Sequence, residues 1–310
     1  MQRPIPDDRT EQIVFRLKEL QIYDQIKFVV IDLMNSNNLA DLLKKYKPMY
    51  FAHLGSQSSV EKSDKFKELT QQSNYAISKN IIENLEKYSK DTIFFFPSSA
   101  TIYEGYQDKT VDENTKPLPM TNYAISKYKT QQFISTKKEL QLHTGILFSH
   151  ESEYRRSNFF SKKVIEFLTN YYLGKKESLT VGDISIERDI GYAQEYVEAI
   201  YKMMKGNQKN KLIISSNNLY KLQEIIDVSL DLLGIKYELL IEDENVSYID
   251  LKTSNKFIIS ENSEFRKYDL RGIAGNNSRV KEELDWSPSI KLDEICKRMI
   301  NYETKKKLRE

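Results

Sequence analysis

The chain has 310 residues, 39% hydrophobic and 30% charged, which is enough for one large domain or two small ones with a real core. Lys and Arg number 47 and Asp and Glu 45, so a formal net charge of +2 gives no strong field for a nucleic acid or an acidic membrane. The chain has a single cysteine, Cys296, which excludes a disulfide framework and a cysteine-based zinc site. No run approaches the ~18 apolar residues of a membrane span. Together these features predict a cytoplasmic protein.

Short β-rich apolar runs alternate with helical patterns in the first half of the chain. The runs predict strands over 27–32, 49–54, 92–97 and 144–148, and the periodic segments predict helices over 38–46, 66–88 and 121–140. Strands that alternate with helices are typical of right-handed βαβ units, in which the strands lie parallel. The sequence therefore predicts an α/β fold with a doubly wound parallel sheet over residues 1–149.

Beyond residue 149 the regular alternation breaks down. Helical patterns over 159–173, 191–205, 221–233 and 291–308 are separated by two short predicted strands, 211–215 and 237–241, and by polar loops. Open α/β sheets bind ligands at the carboxyl ends of their strands. We therefore predict that residues 150–310 form a smaller substrate-binding region at that edge, with a soft boundary that the chain can cross more than once.

Glycine is scarce at the start of the chain. The sequence has 10 glycines, and the first is Gly55. A dinucleotide-binding turn of the G-x-G-x-x-G kind needs glycines so that the backbone can approach a pyrophosphate. The first 54 residues therefore contain no such turn.

The hexapeptide Asn-Tyr-Ala-Ile-Ser-Lys occurs twice, at 74–79 and at 122–127. Each copy places a phenol and an ammonium one helical turn apart on the same face. The first copy lies inside the predicted helix 66–88 and is interpreted as ordinary amphipathic helix. The second copy opens the helix 121–140 after a strand that ends in Ser98-Ser99, and it is the candidate for chemistry.

Ser99, Tyr123 and Lys127 are the residue types that proton transfer on a hydroxyl group needs. A free phenol has a pKa of ~10, and a lysine one turn away supplies a positive charge that lowers it. A serine hydroxyl at the neighbouring strand end orients the substrate oxygen. Together the three residues suit the transfer of a proton from a sugar or steroid hydroxyl while a hydride passes to a nicotinamide. The Tyr-x-x-x-Lys pattern without the serine would instead favour an ordinary surface helix.

In type, spacing and order this trio resembles that of the extended short-chain dehydrogenases/reductases. Nearly the whole chain, in one register, resembles the GDP-mannose 4,6-dehydratase family among them. The resemblance implies a Rossmann-like fold and a lyase that oxidises C4 of a GDP-hexose with NADP(H), or NAD. It rests on Asp32-Leu33, 53–58 (His-Leu-Gly-Ser-Gln-Ser), 145–152 (Gly-Ile-Leu-Phe-Ser-His-Glu-Ser), Arg155-Arg156, Asn158-Phe159, 187–193 (Glu-Arg-Asp-Ile-Gly-Tyr-Ala), Phe265-Arg266 and 281–288 (Lys-Glu-Glu-Leu-Asp-Trp-Ser-Pro).

The resemblance also implies roles for individual residues. The catalytic set is Ser99, Tyr123 and Lys127, with Thr101 at the position of a catalytic glutamate. The implied cofactor contacts are Asp32 and Leu33 beside the adenine, Leu54, Gly55, Ser56, Gln57 and Ser58 along the ribose and phosphates, and Lys127, His150 and Arg155. The implied substrate contacts are Ser149, Lys162, Arg188 and Arg266, and guanidinium groups such as the last two suit a diphosphate.

Three features depart from the family pattern. The first strand, glycine-rich turn and helix of the family have no counterpart before Arg3, which puts cofactor binding in question. Thr101 replaces the glutamate of the family's Thr-Ser-Glu-x-Tyr-Gly motif. Glu104 could substitute for that glutamate only if the turn had a different conformation. Residues 98–103 instead resemble the S-S-A-T-V-Y of UDP-galactose 4-epimerase relatives. Ser149 replaces an asparagine and Lys162 an arginine.

These departures leave two alternatives to a dehydratase. One is a nucleotide-sugar 4-epimerase or 4-keto-reductase, and the other is a non-catalytic paralogue or truncated gene product that lacks its cofactor. In each enzymatic interpretation the partner is a nucleotide sugar, and the resemblance implies a homo-oligomer. No metal site is predicted, since the three histidines lack ligand spacing, and no nucleic-acid or membrane partner is predicted.

Overall fold

A four-stranded parallel sheet forms the centre of the first half of the chain. The computed structural model describes residues 7–55, 72–175, 177–206, 210–242, 245–261 and 271–308. Its central strands are β1 (Tyr50–Ala52), β2 (Ile93–Ser99), β4 (Leu142–Leu147) and β8 (Lys211–Ile214), and they lie side by side in that order. The strands predicted over 49–54, 92–97, 144–148 and 211–215 are confirmed, and so is the α/β fold with a parallel sheet.

Helices cover both faces of this sheet. Because side chains alternate along a strand, Phe94 and Phe96 of β2 pack in one cluster and Phe95 packs in the opposite one. The first face is covered by α2 (Ser36–Tyr46), α3 (Ile77–Tyr88) and α4 (Asn122–Thr136), and the other by α6 (Ala193–Lys205). This double cover explains why the strand sequences are apolar throughout rather than alternating.

The predicted helices are confirmed with shifted ends. The helix predicted over 121–140 ends at Thr136. The one predicted over 66–88 lies partly outside the described residues; its described part is a π-helical turn, Gln72–Ala76, followed by α3. A helix that was not predicted, α1, spans Asp7–Glu19.

The strand predicted over 27–32 is wrong. Residues 26–32 form no regular element, and Phe28, Val29 and Val30 are exposed, Val30 by 78%. An apolar run forms a strand only where a neighbouring backbone pairs with it. Within the described residues β1 is the edge of the sheet and pairs with β2 alone, so the structure provides no partner at 27–32.

The second half of the chain builds two further sheets and a helical layer. Besides α6, the helices described there are α5 (Phe160–Tyr172), α7 (Leu222–Leu233), α8 (Ser278–Leu284) and α9 (Leu292–Lys307). One sheet has the order β10 (Tyr237–Glu242), β11 (Asn245–Asp250), β12 (Lys256–Ser260) and β6 (Leu179–Val181), which confirms the strand predicted over 237–241. The other has the order β3 (Gln107–Val111), β13 (Arg271–Gly275), β7 (Glu187–Tyr192) and β5 (Ser149–Glu151), with β9 (Leu219–Lys221) antiparallel to β7.

The division at residue 149 stays a prediction. β3 precedes that residue and pairs in parallel with β13, which follows it. Buried residues of α5, α7 and α9 form the largest apolar cluster with β6 and β12. Among the described residues no helix combines the length and apolar character that a membrane span requires.

Candidate active site at the carboxyl ends of the central strands

The candidate site starts at Ser99, the last residue of β2. Ser99 has extended backbone and caps a short 3-10 turn over Ala100–Tyr103. Its Oγ accepts hydrogen bonds from the backbone N of Thr101 at 3.3 Å and from Thr101 Oγ1 at 3.0 Å. Thr101, at the position implied for a catalytic glutamate, therefore contributes a hydroxyl group next to the serine.

Tyr123 and Lys127 lie in the first two turns of α4. Thr121 starts this helix, and its Oγ1 accepts from the backbone N of Ala124 at 3.2 Å. The hydroxyl of Ser99 lies beside the phenol of Tyr123 and lowers its pKa. Lys127 is buried, with 3% of its surface exposed, and its Nζ donates to the carbonyl O of Pro97 on β2 at 2.8 Å. The structure thus brings the three predicted catalytic residues together.

Burial dominates the electrostatics of the trio. It lowers the pKa of Lys127 to about 7, because an ammonium loses its hydration in an apolar surrounding. Burial raises the pKa of Tyr123, while the hydrogen bond from Ser99 and the positive charge of Arg155 lower it. The sequence assigned this charge effect to Lys127; the structure adds Arg155 as a cation that stabilises the phenolate.

His53 lies at the same edge of the sheet, directly after β1. It is 4% exposed, its backbone N donates to Phe95 O at 3.1 Å, and its Nε2 is buried without a hydrogen-bond partner. Burial and the charge of Lys127 lower its pKa to about 4, so the ring is neutral. The resemblance over 53–58 includes His53 without implying a role for it, although its place near the end of a predicted strand was a signal for this site.

The implied cofactor contacts of the second half follow β4. His150 Nδ1 donates to Phe148 O at 2.8 Å, since a carbonyl oxygen can only accept, and burial lowers the imidazole pKa to about 4, so the ring is neutral. Arg155 pairs with Glu151 Oε2 at 3.3 Å and stacks over Phe159, with its Cζ 3.7 Å from the ring centre. Both residues are half-buried.

Most of the implied cofactor contacts described in the first half of the chain are more exposed to solvent than His150 and Arg155. Asp32 is exposed and its Oδ1 accepts from Met34 N at 3.0 Å, whereas Leu33 packs against the core. Leu54 and Gly55 are exposed directly after His53, at the carboxyl end of β1. Ser56, Gln57 and Ser58 lie outside the described residues.

The implied substrate contacts divide into two groups. Ser149 and Arg188 lie half-buried on the paired strands β5 and β7, in the sheet that also contains β3 and β13. Lys162 is buried in an ion pair with Glu303 of α9, and its Nζ also donates to Glu153 O at 2.7 Å, so its charge is used inside the protein. Arg266 lies outside the described residues.

Comparison with known proteins gives the family. The family model described as GDP-mannose 4,6 dehydratase matches residues 7–299. The chain belongs to the GDP-mannose 4,6-dehydratase family. It is 28% identical over 289 residues to GDP-mannose 4,6-dehydratase of Vibrio cholerae, a match that covers 88% of this chain and 78% of that protein. The human GDP-mannose 4,6 dehydratase is 23% identical over 295 residues, covering 93% of this chain and 79% of the relative.

Solved structures share the fold of this dehydratase-family chain. RMD from Pseudomonas aeruginosa, complexed with NADPH, superimposes with a TM-score of 0.77 at 18% identity and covers 93% of this chain and 95% of its own. UDP-glucose 4-epimerase of Thermotoga maritima, with UDP-glucose, gives a TM-score of 0.74 at 19% identity, with 91% of this chain and 85% of that chain covered. These likenesses confirm the Rossmann-like dehydratase and epimerase fold.

Proposed function

We propose that this protein is a nucleotide-sugar enzyme of the GDP-mannose 4,6-dehydratase type, which oxidises C4 of a GDP-linked hexose with NADP(H). The observation that carries the proposal is the convergence of three side chains: Tyr123 lies beside Ser99, and Lys127, one helical turn further on, donates from Nζ to the carbonyl O of Pro97 on the same strand at 2.8 Å. The three side chains meet at the carboxyl ends of parallel strands, where α/β folds place their ligands.

In the proposed reaction Tyr123 removes the proton of the C4 hydroxyl. Ser99 donates a hydrogen bond that orients the same oxygen and shares the negative charge of the phenolate. The charge of Arg155 lowers the pKa of the phenol, and cationic Lys127 adds to this below its own pKa of about 7. The enzyme then needs an acceptor for the hydride that leaves C4.

The residues present fit a nicotinamide dinucleotide as that acceptor. His53 Nε2 is buried without a partner close to Lys127, and the backbone of Leu54 and Gly55 is exposed at the adjacent strand end. These groups, with His150 and Arg155, would hold the dinucleotide, which supplies hydride transfer when it is bound. The first 54 residues contain no glycine, so they contribute no glycine-rich turn to this binding.

On the substrate side we propose Arg188, with Arg266, for the diphosphate of the nucleotide sugar. Arg188 lies on β7 and is flanked by Tyr220 of β9 and Ile273 of β13. A planar guanidinium makes two hydrogen bonds to a diphosphate, and a lysine cannot reproduce both. Arg188→Lys is therefore expected to raise KM for the nucleotide sugar about 10-fold or more, which corresponds to a loss of ~1.4 kcal/mol of binding free energy.

We also propose that the protein is cytoplasmic and forms a homo-oligomer. Sedimentation of the purified protein would test the oligomeric state.

A second candidate function is C4 oxidation and reduction without loss of water, as in a 4-epimerase or 4-keto-reductase. It is favoured by the groups around Ser99. Thr101 presents a hydroxyl to Ser99, and a hydroxyl is not a general base at neutral pH. Glu104 does not replace the missing carboxylate, because it accepts hydrogen bonds from Met120 N, at 2.7 Å, and from Thr121 N and Oγ1.

Incubation with GDP-mannose and NADP separates these functions. A product that has lost one water supports the dehydratase, and a C4-inverted sugar without that loss supports a 4-epimerase. A 4-keto-reductase is tested by incubation with a 4-keto nucleotide sugar and NADPH. Calorimetric titration with NADP tests the cofactor first: no binding, together with no turnover, would overturn both functions and favour a non-catalytic protein.

A further inference from the structure

Glu104 is a buried carboxylate that links the two halves of the candidate site. It follows the 3-10 turn that begins at Ser99, and only 7% of its surface is exposed. Its Oε1 accepts from the backbone N of Met120 at 2.7 Å and from the backbone N of Thr121, and its Oε2 accepts from Thr121 Oγ1 at 3.3 Å.

The two backbone groups that Glu104 binds lie at the start of α4. Thr121 is the N-cap residue of that helix, and Tyr123 follows it by two positions. The first N–H groups of a helix have no partner within the helix, and a negative charge there is favourable. Glu104 therefore fixes the end of α4 that carries the phenol.

Gly105 makes this contact possible. Its backbone N donates to Leu118 O at 3.0 Å, and a Cβ at Gly105 would lie 2.5 Å from Leu118 Cδ2 and 2.9 Å from Leu118 O. No larger residue fits there without moving the loop. The close approach brings the turn after Ser99 against the loop that leads into α4.

We propose that Glu104 is a positioning residue that holds the phenol of Tyr123 in register with the hydroxyl of Ser99. The inference rests on the proposed function, in which these two groups act on one substrate oxygen. Glu104 acts through its hydrogen bonds to the backbone of 120–121. Reacting groups must be held closely, and a misplacement of about 1 Å can cost about 100-fold in rate.

The test compares three variants. Glu104→Ala removes the acceptor, and kcat is expected to fall at least about 10-fold while KM for the nucleotide sugar changes less than about 3-fold. Glu104→Gln keeps an acceptor oxygen for the two amides and is expected to recover most of kcat. Glu113→Ala is the matched control, since Glu113 is 6% exposed and its Oε1 accepts from Ile213 N at 2.8 Å, on β8 instead of α4.

Hydrogen exchange of the peptide 118–127 supplies a measurement that does not depend on turnover. Faster exchange in Glu104→Ala but not in Glu113→Ala supports the positioning role, even where the wild type shows no turnover and the proposed function fails. Unchanged exchange in Glu104→Ala overturns the inference. So does an equal fall of kcat in Glu113→Ala, because general destabilisation would then explain the loss.

Discussion

Asn74 Nδ2 donates a hydrogen bond to Ser126 Oγ at 3.1 Å, and Ser126 Oγ donates to Tyr123 O at 2.7 Å. These bonds join the two copies of the hexapeptide, since Asn74 opens the first copy and the other two residues belong to the second. Asn74 lies in a π-helical turn and is 2% exposed. The first copy therefore supports the helix that carries the phenol, in addition to forming the predicted amphipathic α3.

The first prediction uses the two copies as a matched pair. Tyr123→Phe removes the phenol hydroxyl beside Ser99, and we expect kcat to fall by about 10²–10⁴-fold, the usual contribution of a general acid or base. Tyr75→Phe is the control. Tyr75 holds the same position in the first copy of the hexapeptide, and its ring packs edge-on against Phe133. Chromatography of the nucleotide sugar measures product formation by both, because the hydride returns to the sugar in each turnover and NADPH does not accumulate. Equal activities of the two variants would remove Tyr123 from the mechanism.

The central sheet could be predicted because each of its strands is apolar and covered on both faces. The failure at 27–32 has a physical cause that the residue types do not reveal. Phe28, Val29 and Val30 have strand-forming side chains, but a strand also needs a paired backbone, and the described residues supply none there. The strands β5, β7 and β9 were missed because their polar and charged residues interrupt the apolar run that marks the strands of the central sheet.

The core of the site could also be predicted, since Ser99, Tyr123 and Lys127 carry their chemistry in their residue types. The supporting contacts could not. Glu104 and Asn74 act through contacts with residues 16 and 52 positions away in the chain. Lys162 was assigned to the nucleotide by resemblance, and only the fold reveals the carboxylate of Glu303 beside it.

The second prediction concerns Lys127 and pH. Burial lowers its pKa in the folded chain to about 7, from 10.5. Between these two values the unfolded chain keeps a proton that the folded chain has lost, so the free energy of unfolding gains a contribution that rises with pH, by up to ~1.4 kcal/mol per unit. Below pH about 7 both states are protonated and this contribution is constant.

Urea denaturation at several pH values measures this effect. Lys127→Met is expected to lose the rising contribution, so its unfolding free energy changes less steeply with pH than that of the wild type. Lys79→Met is the control from the first copy, where the lysine is 43% exposed and pairs with Glu83. Parallel curves for wild type and Lys127→Met would show that Lys127 keeps an ordinary pKa.

The third prediction concerns the missing elimination base. Thr101→Glu places a carboxylate beside Ser99, where Thr101 now bonds to its hydroxyl. We expect the variant to form, or to form faster, a product that has lost one water, because a carboxylate can remove the C5 proton once C4 is oxidised. Mass spectrometry of the nucleotide sugar detects the loss.

Thr101→Gln is the control for this variant, since it has similar size and no basic group. Elimination that is equally fast in wild type and in both variants would mean that another group removes the proton. A gain in Thr101→Glu alone would show that the wild-type site lacks only the base.

The fourth prediction separates a structural from a binding role for Lys162. Its Nζ and the carboxylate of Glu303 form an ion pair in which the two side chains are 4% and 1% exposed. Removing one partner leaves the other charge buried, so Lys162→Met is expected to lower the free energy of unfolding by about 3–5 kcal/mol. The double variant Lys162→Met/Glu303→Leu is expected to recover most of that loss, because it leaves no unpaired charge.

Lys163→Met is the matched control. Lys163 is the next residue in the chain, its side chain is exposed, and its Nζ donates to Thr180 O at 3.0 Å. Denaturant unfolding of the wild type and the three variants, with KM for the nucleotide sugar, decides between the two roles. A nucleotide contact would appear as a raised KM in Lys162→Met at nearly unchanged stability. The buried pair with Glu303 predicts the reverse, because the ammonium is already held inside the protein, where it donates to the carboxylate of Glu303 and to Glu153 O.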